Sequence, residues 1–158
     1  MNDIEKKEPD LSIRFTNMVI KKYGTDVGEV KFSGFQKRLA QNYFVSIDIM
    51  LKKAESKRNN KYNKLPYVWG NVDLEEVARL VVANSRIGLD PAIKNHIHFI
   101  PYKNKVKNKY DVNFMTGYTG IELKAMKYGL DVPDKVLSEV VYKNDNFVPK
   151  KKSINNTV

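Results

Sequence analysis

Between Pro91 and Tyr110 the chain carries five lysines (Lys94, Lys103, Lys105, Lys107 and Lys109), two histidines and no Asp or Glu. Ile97, Phe99, Ile100, Tyr102, Val106 and Tyr110 are interleaved with them. Ammonium groups neutralise phosphates and flat rings stack on bases, so this composition suits a polyanion that carries bases. The competing reading is a solvated surface hairpin. Lys103, Lys105, Lys107 and Lys109 have period two, and on extended strands their side chains would form one row of cations. The ribbon leads into Gly117-Tyr118-Thr119-Gly120 and a short helix bearing Lys124 and Lys127. A helix N-terminus offers exposed N–H groups to a phosphate, which makes Tyr118, the Thr119 hydroxyl and the Gly120 N–H candidate contacts. The alternative there is a plain strand-to-helix turn, with Thr119 and Glu122 as a T-x-x-E capping box. Arg86, near the exit of the preceding helix, completes the candidate DNA-binding set.

Other chemistries find less support. His96 and His98 form an H-x-H pair that would face one way on a strand. No third ligand accompanies it, so no metal and no cofactor is expected. Asp111 with Glu122 and Lys124 imitates the D…E-x-K pattern of metal-dependent nucleases, in which two carboxylates hold Mg²⁺ and the lysine assists water attack. That chemistry wants Glu and Lys two apart on a strand, whereas here they fall on a predicted helix, where such residues diverge. No catalytic residue is therefore assigned. Tyr62 lies in a strongly basic loop and could stack on a base, while Trp69 beside Tyr67 and Val68 reads as core. A third class, a basic structural phage protein that only neutralises packaged DNA, would use the same charge without discriminating single strands from duplex.

The elements that must position these residues follow from spacing. A helix is expected from about Ser12 to Tyr23, with Phe15, Met18 and Val19 on one side and Gly24 and Gly28 breaking it. Ser33 and Gln36 form a capping box for a second helix, along which Phe35, Leu39, Tyr43, Ile47, Met50, Leu51 and Ala54 recur every three or four residues. Asp73 and Glu76 open a third helix through Ile87, with Gly88 as its stop. The period then changes: His96–Tyr102 and Tyr110–Gly117 read as two strands joined across Lys103–Lys109. A helix ending at Gly129 and a third strand at Val136–Tyr142 follow. Strands joined by a short loop are antiparallel, so the expected class is α+β: N-terminal helices, then a β-β-α-β core with a small antiparallel sheet. Residues 1–10 and 149–158 read as flexible tails flanking a single domain at 11–148. At 158 residues, 42% of them apolar, the chain can bury a core, and its net charge of +10 points to an anionic partner. Cysteine is absent, which excludes disulfides and thiolate metal sites. No apolar run approaches the ~18 residues of a membrane span, and the N-terminus lacks a signal-peptide core, which fits a bacterial cytoplasm reached as a phage or prophage product.

Four segments in order resemble one family. Val82-Ala83-Asn84-Ser85-Arg86-Ile87-Gly88-Leu89-Asp90-Pro91 is similar to the helix end and G-L-D-P turn of RecT-type phage recombinases. Ile100-Pro101-Tyr102-Lys103 resembles their I-P-Y element, and Gly117-Tyr118-Thr119-Gly120-Ile121-Glu122-Leu123 their G-Y-[KR]-G helix start. Val140-Val141-Tyr142-Lys143-Asn144-Asp145-Asn146-Phe147 resembles their strand ending in an acidic-x-aromatic turn. Arg38-Leu39-Ala40-Gln41-Asn42-Tyr43-Phe44 resembles the branch found in phages of low-GC Gram-positive bacteria. The resemblance covers about residues 30–148. It implies ATP-independent binding of single-stranded DNA and its annealing to a complement in homologous recombination. It also implies a homo-oligomeric ring or helical filament, and a phage 5′→3′ exonuclease as partner. Thr119 stands where many relatives carry Lys or Arg. The chain is short for the family and is expected to represent its N-terminal part.

Overall fold

Capping chemistry and apolar spacing fix where the helices begin and which side they bury. The computed structural model describes residues 10–27, 33–130 and 140–148, with backbone alone for 25–27. Helix α1 spans Leu11–Val27, α2 Gly34–Ser56, α3 Leu74–Ile87 and α4 Tyr118–Tyr128, and strands β1 (Ile97–Asn104) and β2 (Lys109–Thr116) lie between α3 and α4. Among the described residues, four α-helices and one two-stranded antiparallel sheet make the fold α+β, as its periodicities require.

The capping box at α2 is formed as expected: the Gln36 N–H donates to Ser33 Oγ at 3.2 Å, and the Ser33 N–H donates to Gln36 Oε1 at 2.9 Å. Asp73 caps α3 through the Glu76 N–H at 3.3 Å. Gly88, at φ +88°, ends α3 in the left-handed conformation, with the Gly88 and Leu89 N–H groups returning to Ser85 O and Asn84 O. Helix α1 overruns Gly24. An interior glycine costs a helix only about 1 kcal/mol, and the Phe15–Val19 face is held by packing on α3 and α2. Gly28 lies outside the described residues.

Two aromatic groups build the core. Phe15, Phe44 and Trp69 meet with centroids 4.9–5.5 Å apart, joining α1, α2 and the 3₁₀ turn Trp69–Asn71, and the Trp69 N–H donates to Asp48 at 3.0 Å. Trp69 is thus core, as its neighbours suggested. The second group fastens the hairpin: Tyr43 of α2 stacks on Phe114 at 5.8 Å and meets Phe99 edge-on at 6.0 Å. Ile97, Phe99, Tyr110, Val112 and Phe114 form the inner face of the sheet, and His98, Tyr102, Asn113 and Met115 the outer, exposed one. The predicted third strand does not extend into the described residues: Val140–Tyr142 is irregular and exposed, Asp145 Oδ2 accepts the Tyr142 N–H at 2.7 Å, and 136–139 lie outside them.

The loop after α3 is held by polar groups of α2. The Tyr43 hydroxyl donates to Leu89 O at 2.7 Å, and Asn42 Nδ2 donates to Asp90 Oδ1 at 3.1 Å. Burial, reinforced by the Asp90 carboxylate, pushes the Tyr43 pKa far above its ordinary value, so the phenol remains a donor. Tyr43→Phe keeps the ring stacking and strands a buried carbonyl. It should lower unfolding stability by about 1–3 kcal/mol in urea melts, with the m-value unchanged.

Candidate nucleic-acid interface

Asn104 shapes the tip of the hairpin. Its Oδ1 accepts the N–H groups of Val106 and Lys107, both at 3.0 Å, while its Nδ2 donates to Asp111 across the strands at 2.8 Å. Asn108 closes the turn at φ +48°, a conformation Asn tolerates. The strands therefore run further toward the tip than the sequence indicated, and the turn is Lys105–Asn108 alone. This rearranges the expected cation row. Lys103 pairs with Tyr110 on the inner side, Lys109 pairs with Asn104 on the outer side, and Lys105 and Lys107 ride in the turn. The period-two row on one side does not form, because the antiparallel partner reverses the chain in the middle of it.

Lys107 is also engaged. Its ammonium lies 2.7 Å from Asp73, the cap of α3. That hydrogen bond holds the Asp73 carboxyl below the usual range and raises the Lys107 pKa. Lys103, Lys105 and Lys109 are exposed, and their ammonium groups make no hydrogen bond among the described residues.

At the other end of the sheet, the helix-start segment is occupied by the protein's own backbone. The N-cap of α4 is Gly117, without a side-chain cap, so the T-x-x-E box is not formed. The Thr119 hydroxyl instead donates to Lys94 O at 2.9 Å, and the Gly120 N–H faces Asn95 O at 3.4 Å. A Cβ at Gly117 would overlap Asn95 O, and one at Gly120 would overlap His96 O. The glycines thus admit the 95–96 backbone, which takes up the Gly120 N–H expected to be open to a phosphate. Lys124 donates to Thr116 Oγ1 at 2.9 Å, and Lys127 reaches Ile87 O at 3.4 Å, on the C-terminus of α3, where a cation is favoured. Arg86 lies over the Tyr23 ring at 5.2 Å. Lys94 and Tyr118 are exposed.

The sequence-selected cations therefore fall into two groups. Lys94, Arg86, Lys124 and Lys127 lie where the hairpin meets α4, whereas Lys103, Lys105, Lys107 and Lys109 lie at its tip. Seven residue steps separate Ile97 from Asn104, about 23 Å at strand rise. The outer sheet face between them presents His98, Tyr102, Asn113 and Met115. The nuclease-like triad is not assembled: Asp111 is five residues up β2 from Thr116, about 17 Å, while Lys124 is bonded to Thr116 itself. The histidines part company as well. His96 is buried, with Nδ1 accepting the Asp90 N–H at 3.2 Å, and His98 is exposed. Among the described residues no group of three metal-type ligands occurs, and no helix is long and apolar enough to cross a membrane.

A family model for the RecT family matches residues 52–157, about two thirds of the chain. The chain belongs to the RecT family. The match contains all four motif segments, and thus α3, the hairpin and α4, but not α1 or most of α2. No curated protein and no solved structure matches the chain.

In this RecT-family fold the hairpin tip has neighbours that sequence spacing did not supply. Asn63 Nδ2 donates to the Tyr110 hydroxyl at 2.7 Å, which in turn donates to Leu65 O at 2.6 Å. Tyr67 stacks on the Tyr110 ring at 4.3 Å. The basic loop after α2, with exposed Lys57, Lys61 and Lys64, is thereby brought against Tyr110, the cross-strand partner of Lys103. The basic composition of that loop was legible, but its contact with a strand 47 residues away was not.

The Lys107–Asp73 pair has a definite pH sign. Because the Asp73 pKa is depressed in the fold, its stabilisation is present above the ordinary carboxylate pKa of about 4 and is lost as pH falls below it. Asp73→Asn keeps a capping oxygen and removes the charge, so it should cost less than about 1 kcal/mol at pH 7. In urea melts the gap to wild type should close as pH falls from about 4 to 2. A gap independent of pH would rule out the ion pair.

Proposed function

We propose that this chain binds single-stranded DNA and anneals it to a complementary strand without nucleotide hydrolysis, in phage or prophage recombination in the bacterial cytoplasm. Membership of the RecT family supports this reading. The structural observation that carries it is the set of exposed lysines whose ammonium groups make no hydrogen bond or ion pair among the described residues: Lys103, Lys105 and Lys109 at the tip, the last adding only a longer-range charge effect on Asp73, and Lys94 at the base, at either end of an exposed sheet face. Annealing needs no nucleophile. Two polyanions repel, and fixed cations offset that repulsion without reading sequence.

The strand length of about 23 Å that lies between the two cation groups corresponds to about seven nucleotides at the 3.4 Å rise of a duplex strand, and to fewer in an extended single strand. A strand held at both ends leaves its bases free over the intervening surface, where a complement can pair. Lys124, Lys127, Arg86 and the Tyr118-Thr119-Gly120 turn shape the base end, and their internal bonds make them supports for Lys94 as much as contacts. One protomer grips few nucleotides, so a homo-oligomer on the strand supplies avidity. Val45 and Ile49, one turn apart on α2, are exposed apolar residues outside the core that suit subunit contact. A 5′→3′ exonuclease producing the single strand is the matching partner.

Replacing Lys103, Lys105 and Lys109 together by Gln should leave the fold intact and lower the salt dependence of single-strand binding by about 2 in log–log slope, at about 0.7 per phosphate contact. Annealing of complementary oligonucleotides should slow in parallel. An unchanged slope would remove the hairpin tip from the interface.

A further inference from the structure

The loop Lys57–Lys64 is more ordered than its composition of Lys, Arg and Asn demands. The Arg58 fork grips Glu55 at 2.6–3.0 Å and also donates to Asn63 O at 3.1 Å. Glu55 accepts the Tyr67 N–H at 2.8 Å, which fastens the far side of the loop. Asn59 organises the turn: its Oδ1 accepts the Lys61 N–H at 2.9 Å, and its carbonyl accepts the Tyr62 and Asn63 N–H groups at 3.1 and 2.9 Å. Asn63 then bonds Tyr110. The inward polar groups are thus matched with one another, and the loop is held as a shaped platform.

What the platform presents outward has no structural task. The Tyr62 ring is 81% exposed, and among the described residues its ring contact is the Lys61 ammonium, 5.7 Å from the centroid. Lys57 and Lys64 are exposed and lack a carboxylate partner among the described residues. An aromatic face flanked by cations on a preformed loop is the arrangement that holds a base by stacking and its phosphates by charge. Order before binding lowers the entropy that such a contact must overcome.

We propose that Tyr62 is a stacking post for one unpaired base, with Lys61 and Lys64 gripping the flanking phosphates, and that this site continues the hairpin-tip patch through Tyr110. The inference rests on the single-strand-binding reading and adds selectivity for strand state. Paired bases inside a duplex are covered on both faces by their neighbours, so only an unpaired base can lie on the Tyr62 ring. The loop therefore separates single strand from duplex, which phosphate contacts alone do not do.

The test uses the full chain with a labelled oligothymidylate and a duplex of equal length. Tyr62→Ala should weaken oligothymidylate binding about fivefold or more and leave duplex binding unchanged, while Tyr62→Phe should bind both as wild type does. Lys61→Gln with Lys64→Gln should reduce the single-strand salt slope by about 1.4. In Tyr62→Trp the new indole should be quenched by oligothymidylate, against a background from Trp69, which is buried on Phe44. Equal losses on single strand and duplex, or no loss with Tyr62→Ala, would overturn the stacking post while wild-type binding left the broader reading standing. A wild-type chain that binds no oligothymidylate would overturn both.

Discussion

Tyr110 is the residue on which the far end of the molecule depends. Its ring stacks on Tyr67, its hydroxyl lies between Asn63 and Leu65, and its carbonyl accepts the Asp73 N–H at 3.1 Å. One side chain and one peptide unit thus tie β2 to the loop after α2 and to the start of α3. A lone two-stranded hairpin is marginal in water. Here it is fastened along its length, by Tyr43 against Phe99 and Phe114 in the middle and by Tyr110 near the tip. Burial raises the Tyr110 phenol above its ordinary pKa, which keeps the proton that the Leu65 carbonyl needs.

This fastening divides the surplus of positive charge into two kinds. Arg58, Lys107, Lys124 and Lys127 work inside the fold, on Glu55, Asp73, the Thr116 hydroxyl and the end of α3. Lys57, Lys64, Lys94, Lys103, Lys105 and Lys109 remain exposed in water. Net charge by itself does not distinguish the two kinds. The distinction matters for polyanion binding, because an ammonium already matched with a carboxylate contributes less to counterion release than a free one.

The base end is organised by close approach. Gly117 and Gly120 let α4 press its first turn against the carbonyls of Asn95 and His96, and Gly88 turns α3 into the buried Leu89. The G-Y-T-G segment makes its backbone contact with Asn95 and His96, and it meets the G-L-D-P turn through side chains, Leu89 against Gly120 and Lys127 against Gly88. The placement of Lys94 beside Thr119 follows from it.

The amino-acid sequence by itself determined what is local. Apolar residues at three- and four-residue spacing fixed the buried faces of α1, of α2 from Leu39 onward, and of α3, while Phe35, in the same spacing, stays exposed. Ser33 with Gln36, Asp73 and Gly88 fixed helix ends, and alternation fixed the inner face Tyr110, Val112, Phe114 and Thr116. Each of these is set by interactions within about one helical turn or one strand pair. Tertiary structure alone decided the rest. It carried α1 past Gly24, drew the Thr119 hydroxyl to Lys94 O in place of a cap, and split the lysine row between the two faces of a hairpin. It also set the Lys57–Lys64 loop against Tyr110. Those outcomes depend on partners tens of residues away, and a side chain's preference for them is not written in its neighbours.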